Sequence, residues 1–153
     1  LPEGADIVFN PDDPFFVAFN LNKQSTVDLL NKIKGINLSL ASDTYSCYDA
    51  FDVNYIVEIK NRRKYYSDKI IEAMKMYRNY QESQIKGKTF LYVVADEKGV
   101  WVFNISKNIS TIVKTPVKAF KCPKTTDFND NSKIDKYSYV LPESMAKHIK
   151  YDS

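Results

Sequence analysis

Two short segments rich in aromatic and apolar residues, separated by Val53-Asn54, together predict a β-hairpin. Tyr48 to Asp52 fits the first strand and Tyr55 to Lys60 the second, with a two-residue turn between them. Opposite residues in such a hairpin have numbers with a constant sum, so Asp49 is expected to face Glu58. Because side chains alternate along a strand, Glu58 and Lys60 share one face.

The surrounding pattern predicts helices before and after this hairpin. A first helix is capped by Asn22 or Ser25 and runs to Lys34, before Gly35. A long helix runs from about Tyr65 or Ser67 to about Gln84. Its apolar stripe is expected at Ile70, Met74, Tyr77 and Gln81.

The second half of the chain adds strands and a final helix to this plan. Thr89–Ala95 is apolar throughout and predicts a strand buried on both faces, with Val100–Ile105 as its hairpin partner. For the tail we expect a strand, a loop, another strand and a terminal helix, with the lone His148 on the surface; these segments are 111–120, 122–132, 137–141 and 142–150.

This order predicts a single α/β domain with a mixed β-sheet flanked by helices. The length of 153 residues fits one domain, and 44% hydrophobic residues suffice for a core. We place the core at about 22–106 and treat 1–21 and 107–153 as extensions. No apolar run approaches about 18 residues, so no membrane span is expected. Two cysteines, Cys47 and Cys122, make neither a disulfide framework nor a zinc motif, which favours a reducing cytoplasmic setting.

The charge of the chain is small overall but concentrated after the hairpin. The net charge is +3, yet residues 60–88 hold nine Lys or Arg against three acids. This basic strip suits a polyanionic partner such as DNA, although a run of charge is also typical of a solvated helix face.

The hairpin itself places two carboxylates and one ammonium on one small patch. Opposed like charges destabilise a sheet unless something offsets the repulsion, and a divalent cation with oxygen ligands would do so. A solvated hairpin with these charges in water remains the alternative. The apolar run Tyr55-Ile56-Val57 favours a central strand instead.

The chain places Asp49 before Glu58-Ile59-Lys60, which lies at the end of an apolar strand, and continues with a helix and a buried strand. This order resembles the PD-(D/E)xK nuclease superfamily. The chain looks most like its small bacteriophage-encoded endonuclease-like members. The resemblance covers about 42–106, and more loosely the tail to Leu141. It implies a restriction-endonuclease-like core with the order α-β-β-β-α-β.

The resemblance also implies a DNA endonuclease that uses Mg²⁺, with Mn²⁺ as a substitute. Asp49 and Glu58 would hold the metal with the Ile59 carbonyl, and Lys60 would orient or deprotonate the attacking water. One such site cuts one strand, whereas a twofold homodimer can cut both. The expected contacts to the DNA backbone are Arg62, Arg63, Lys64 and Lys69.

The chain departs from the superfamily pattern at its first helix. Many members carry a metal-binding Glu there, whereas this helix has only Asp28. Asp52 also competes with Asp49, but Asp49 is preferred because Asp52 falls at the turn. The missing glutamate leaves two other hypotheses open: a nucleic-acid-binding module without chemistry, and a phage interaction protein whose many aromatic residues form an interface.

Overall fold

A computed structural model describes residues 22–42, 46–123 and 133–150. The predicted extension 1–21 and nearly all of the loop 122–132 lie outside these ranges. The described helices are α1 (Lys23–Leu30), α2 (Ala73–Lys86) and α3 (Ile105–Ile112), with a 3₁₀ turn at Glu143–Met145. The strands are β1 (Ser39–Leu40), β2 (Ala50–Phe51), β3 (Tyr55–Asn61), β4 (Lys69–Glu72), β5 (Thr89–Asp96), β6 (Gly99–Asn104), β7 (Lys118–Pro123), β8 (Lys133–Leu141) and β9 (Lys147–Ile149).

The strands form two sheets. The larger has the order β1-β2-β3-β5-β6-β9, and the smaller has the order β4-β8-β7. Among the strands of the described ranges, β3 and β5 alone pair in parallel, and α2 lies in the connection between them. The α/β class and the mixed sheet are therefore confirmed. None of the helices in the described ranges has the length and hydrophobicity needed to cross a bilayer.

The larger sheet buries apolar side chains on both faces. One face, which includes Val57 and Ile59, packs with Leu29 and Leu30 of α1. The other, which includes Ile56, packs against α2, α3 and the smaller sheet. β5 contributes to both clusters, as its uninterrupted apolar sequence predicts. Each face therefore has its own layer of helix.

The predicted hairpin is present in the predicted register. Ala50 lies opposite Val57, and Phe51 lies opposite Ile56. However, β2 has only two residues. The Asp49 amide donates to the Val57 carbonyl at 2.9 Å, although Val57 is already the partner of Ala50 in the ladder. Asp49 therefore sits in a bend immediately before the strand.

The long helix was predicted to start too early and with the wrong face buried. Residues 69–72 form β4, which pairs antiparallel with β8, and α2 begins only at Ala73. The buried positions of α2 are Ala73, Met76, Asn79 and Ser83. Met74 and Tyr77 of the predicted stripe are 65% and 43% exposed. Counting Ile70 as helical shifted the helical phase.

The tail differs from its prediction in two places. The sequence from Ile105 to Ile112 is a helix that was not predicted, and β7 begins only at Lys118. The terminal segment forms the 3₁₀ turn and β9 instead of a helix. His148 lies in β9, and its ring stacks on Trp101 with the ring centres 3.6 Å apart. The strand at 147–149 pairs with β6, a partner that is distant in sequence. The first helix, α1, is also shorter than predicted: it ends at Leu30, whereas the sequence predicted an end at Lys34.

Candidate functional site

Asp49 and Glu58 lie together where β2 begins beside β3. The Ile59 amide donates to Asp49 Oδ2 at 2.7 Å, so the carboxylate continues the backbone hydrogen bonding that β2 no longer supplies. Glu58 projects from β3 to the side of α2 and is 9% exposed. Because β2 is short, two acids lie side by side at this edge of β3. We call the site formed by Asp49, Glu58 and Lys60 the pocket.

The two carboxylates interact strongly. The pKa of Glu58 is raised to about 7, chiefly by burial and then by the charge of Asp49 and a hydrogen bond between the two side chains. Two neighbouring amines, Lys75 and Lys23, act in the opposite direction without cancelling the effect. The pair therefore tends to hold a proton near neutral pH.

Two lysines from different helices contact these acids, and the sequence had not indicated either. Lys23 Nζ of α1 lies 2.5 Å from Asp49 Oδ1, and Lys75 Nζ of α2 lies 3.7 Å from Glu58 Oε1. Both lysine side chains are about half exposed. Their positions follow from helix packing, although Lys75 belongs to the basic strip by number.

Lys60 follows Glu58 by two on the same face of β3 and is half-buried. Burial lowers the pKa of its amine, and repulsion from Lys75, Arg62 and Lys136 lowers it further, while Glu58 raises it. Lys136 belongs to β8, so the smaller sheet adds a cation to this site. The sequence pattern did not indicate that Lys136, which is distant along the chain, would lie near Lys60.

The predicted DNA-contact residues separate into two groups. Arg63 and Lys64 are exposed just after β3, and the half-buried Arg62 guanidinium lies 5.8 Å from the centre of the Tyr66 ring. All three follow β3, which carries Lys60, and Arg62 is close enough to lower the pKa of the Lys60 amine.

Lys69 does not belong to this surface. Its side chain is 1% exposed, and its Nζ lies 2.5 Å from the Tyr66 carbonyl, 3.3 Å from Glu143 Oε2 and 3.5 Å from Asp96 Oδ2. It also lies over the rings of Tyr65 and Trp101. The prediction of a phosphate contact was wrong, because β4 turns this lysine into the interior.

The two further acidic candidates have structural roles. Asp28 is exposed on α1 and accepts a hydrogen bond from Gln24 at 2.8 Å. Asp52 accepts from the amides of Asn54, Tyr55 and Asn37 at 2.8, 2.7 and 3.1 Å. Asp52 thus forms the hairpin turn, which supports the preference for Asp49 in the pocket.

The donor set of the pocket suits a hard cation. Within 22–42, 46–123 and 133–150, no cluster of three or more His, Cys, Asp or Glu side chains could hold a metal. The pocket has two carboxylates, and the Ile59 carbonyl points to the same edge of β3 as its amide, toward Asp49. These are oxygen donors only, and Mg²⁺ accepts one or two carboxylates while keeping several waters. The raised pKa of Glu58 reflects its burial first and the neighbouring charge of Asp49 second.

No protein family, curated protein or solved structure matches this chain.

Proposed function

We propose that this protein is a Mg²⁺-dependent DNA endonuclease of the PD-(D/E)xK type. The observation that carries the proposal is the buried Asp49–Glu58 pair with Lys60 on the same strand face. The order α1-β1-β2-β3-α2-β5, with β4 inserted before α2, supports a restriction-endonuclease-like core. The two free cysteines support a cytoplasmic setting.

Each residue of the pocket has a distinct role in the proposed hydrolysis. Asp49 and Glu58, with the Ile59 carbonyl, would hold the metal ion, which supplies Lewis acidity and an activated water when bound. Lys60 donates a hydrogen bond to that water or accepts its proton. Its lowered pKa suits the second task, because it brings the neutral amine closer to physiological pH.

The cations around the pocket favour a phosphodiester as the substrate. Lys60, Arg62, Lys75 and Lys136 are close enough to one another that three of them depress the pKa of the fourth. Such repulsion is relieved when a negatively charged group binds between them. The scissile phosphate would occupy this position, and the exposed Arg63 and Lys64 would contact the DNA backbone beyond it.

Plasmid cleavage in Mg²⁺ or Mn²⁺, with EDTA as the blank, tests the proposal. We expect Glu58→Gln and Lys60→Met to abolish metal-dependent nicking. Asp28→Asn serves as the matched control, since this exposed carboxylate bonds Gln24, and it should retain the wild-type rate. A Glu58→Gln protein that nicks as fast as wild type would overturn the assignment. Linear product beside nicked circles would indicate that a homodimer cuts both strands.

A second candidate is a DNA-binding module that performs no chemistry. The contact of Lys23 with Asp49 and of Lys75 with Glu58 favours it, because amines already compensate both carboxylates. Under this alternative, DNA binding is salt-dependent and insensitive to EDTA, and neither metal produces nicks. The same plasmid experiment, extended by a binding titration, separates the two candidates.

A further inference from the structure

Two aromatic rings and two lysines form a continuous strip next to the carboxylate pair. We define this aromatic–lysine strip as Tyr48, Phe51, Lys86 and Lys88. The two rings meet edge to face with their centres 6.2 Å apart. Lys86 Nζ lies 5.0 Å from the centre of the Tyr48 ring and donates to its hydroxyl at 2.8 Å. Lys88 Nζ lies 5.5 Å from the centre of the Phe51 ring.

An open pocket of about 240 Å³ adjoins the Phe51 end of the strip. Its lining combines one aromatic ring and one ammonium with polar side chains; it consists of Asn37, Ser39, Phe51, Asp52, Val53 and Lys88. Phe51 is 38% exposed, which is unusual for a ring so close to a sheet. The Asp52 carboxylate carries the negative charge of this lining, and three backbone amides stabilise it by donating hydrogen bonds to it.

The strip begins at the proposed catalytic pair. Tyr48 directly precedes Asp49, and Phe51 follows it by two residues. A strand bound across the pocket of Asp49 and Glu58 would therefore pass over these rings. Lys60 and Arg62 lie on the other side of the carboxylate pair. The strip therefore extends the positively charged surface in the opposite direction.

We propose that the aromatic–lysine strip and its pocket bind an unpaired nucleotide of the DNA strand, with the base stacked on Phe51 and a phosphate near Lys88. Every base has a π-face, so aromatic rings beside cations bind single strands without reading sequence. Bases inside a duplex are covered by their neighbours and cannot stack on a protein ring. The inference rests on the proposed function and specifies its substrate as single-stranded or locally unpaired DNA.

Binding in EDTA tests the subsite without any strand being cut. The probes are a single-stranded oligonucleotide containing 2-aminopurine and the same sequence in a duplex. We expect Phe51→Ala to weaken single-strand binding about 5- to 100-fold and to remove the fluorescence change caused by stacking. Duplex binding should change less than about twofold. Phe51→Tyr should retain wild-type affinity, and Val113→Ala controls for the loss of an exposed apolar side chain.

Two results would overturn the subsite: unchanged single-strand affinity in a folded Phe51→Ala protein, or equal wild-type affinity for the single strand and the duplex. The same plasmid and oligonucleotide assays keep this failure apart from that of the nuclease proposal. Cleavage by wild type with no effect of Phe51→Ala on binding leaves the nuclease and removes the subsite. Loss of stacking in Phe51→Ala without any wild-type cleavage leaves the subsite and removes the chemistry.

Discussion

Glu58→Gln makes the electrostatics of the pocket measurable as a dependence of stability on pH. The pKa of Glu58 is raised from 4.5 to about 7 in the folded protein, by burial first and by Asp49 second. Between these two values, the folded protein holds a proton that the unfolded chain has released. The stability that this proton contributes is fully present below pH 4.5, and it is lost as the pH rises through about 7.

The size of this loss follows from the pKa difference. At about 1.4 kcal/mol for each pH unit, the change from 4.5 to about 7 corresponds to about 3 kcal/mol. The Glu58 side chain is only 11% exposed, so solvent screening reduces this value little. Glutamine mimics the protonated acid at every pH. Glu58→Gln should therefore gain up to about 3 kcal/mol over wild type at pH 8 relative to their difference at pH 4.5.

Urea unfolding of both proteins at several pH values between 4.5 and 8 measures this gain. Titrating groups that do not interact with Glu58 contribute equally to both proteins, so the difference in unfolding free energy reports on Glu58 and its coupling to Asp49. Glu82→Gln on the surface of α2 is the matched control for the substitution itself. A difference between Glu58→Gln and wild type that stays constant over this range would refute the reasoning. Added Mg²⁺ should stabilise wild type at pH 8 and leave Glu58→Gln unchanged.

Three further outcomes are expected. Lys69→Met should destabilise the protein by about 3–5 kcal/mol in urea unfolding, because it removes the ammonium that lies 3.5 Å from the buried Asp96 carboxylate. Adding Asp96→Leu should recover part of this loss; a double variant that is no more stable than Lys69→Met alone would contradict the reasoning. Asp52→Ala should cost about 1–3 kcal/mol, because partly buried backbone amides of the turn lose their acceptor, with Mg²⁺ affinity by calorimetry unchanged. Lys23→Ala should tighten Mg²⁺ binding by up to about fivefold, because the exposed ion pair that competes at Asp49 is worth at most about 1 kcal/mol; weaker binding would argue against a metal site.

Local patterns in the sequence were sufficient for the hairpin and the buried strand. The Ala50–Val57 register follows from the two-residue turn, which is a property of neighbouring residues. β5 was predictable because a sheet strand covered on both faces is apolar at every position. The approach of Asp49, Glu58 and Lys60 follows from the same two features.

The elements that were wrongly predicted depend on partners distant in sequence. Residues 69–72 have a helix-compatible composition, yet they pair with β8 about 70 residues later. Lys69 belongs to the same case, since charge alone placed it on the surface and the strand buries it. β9 likewise forms because β6 offers an edge for Lys147–Ile149. The amines of Lys23 and Lys136 reach the site by packing, which no spacing along the chain could indicate.

The short β2 has a consequence for how variants of the site are to be interpreted. Since Asp49 Oδ2 accepts the Ile59 amide, this residue is both a ligand candidate and part of the sheet. Alanine at 49 would remove the charge and also leave a strand amide unsatisfied, so lost activity could not be separated from a distorted strand. Asparagine keeps a carbonyl oxygen for Ile59 while removing the charge. Asp49→Asn therefore separates the two roles of this residue and Asp49→Ala does not, so alanine variants at positions 49 and 58 are not equivalent.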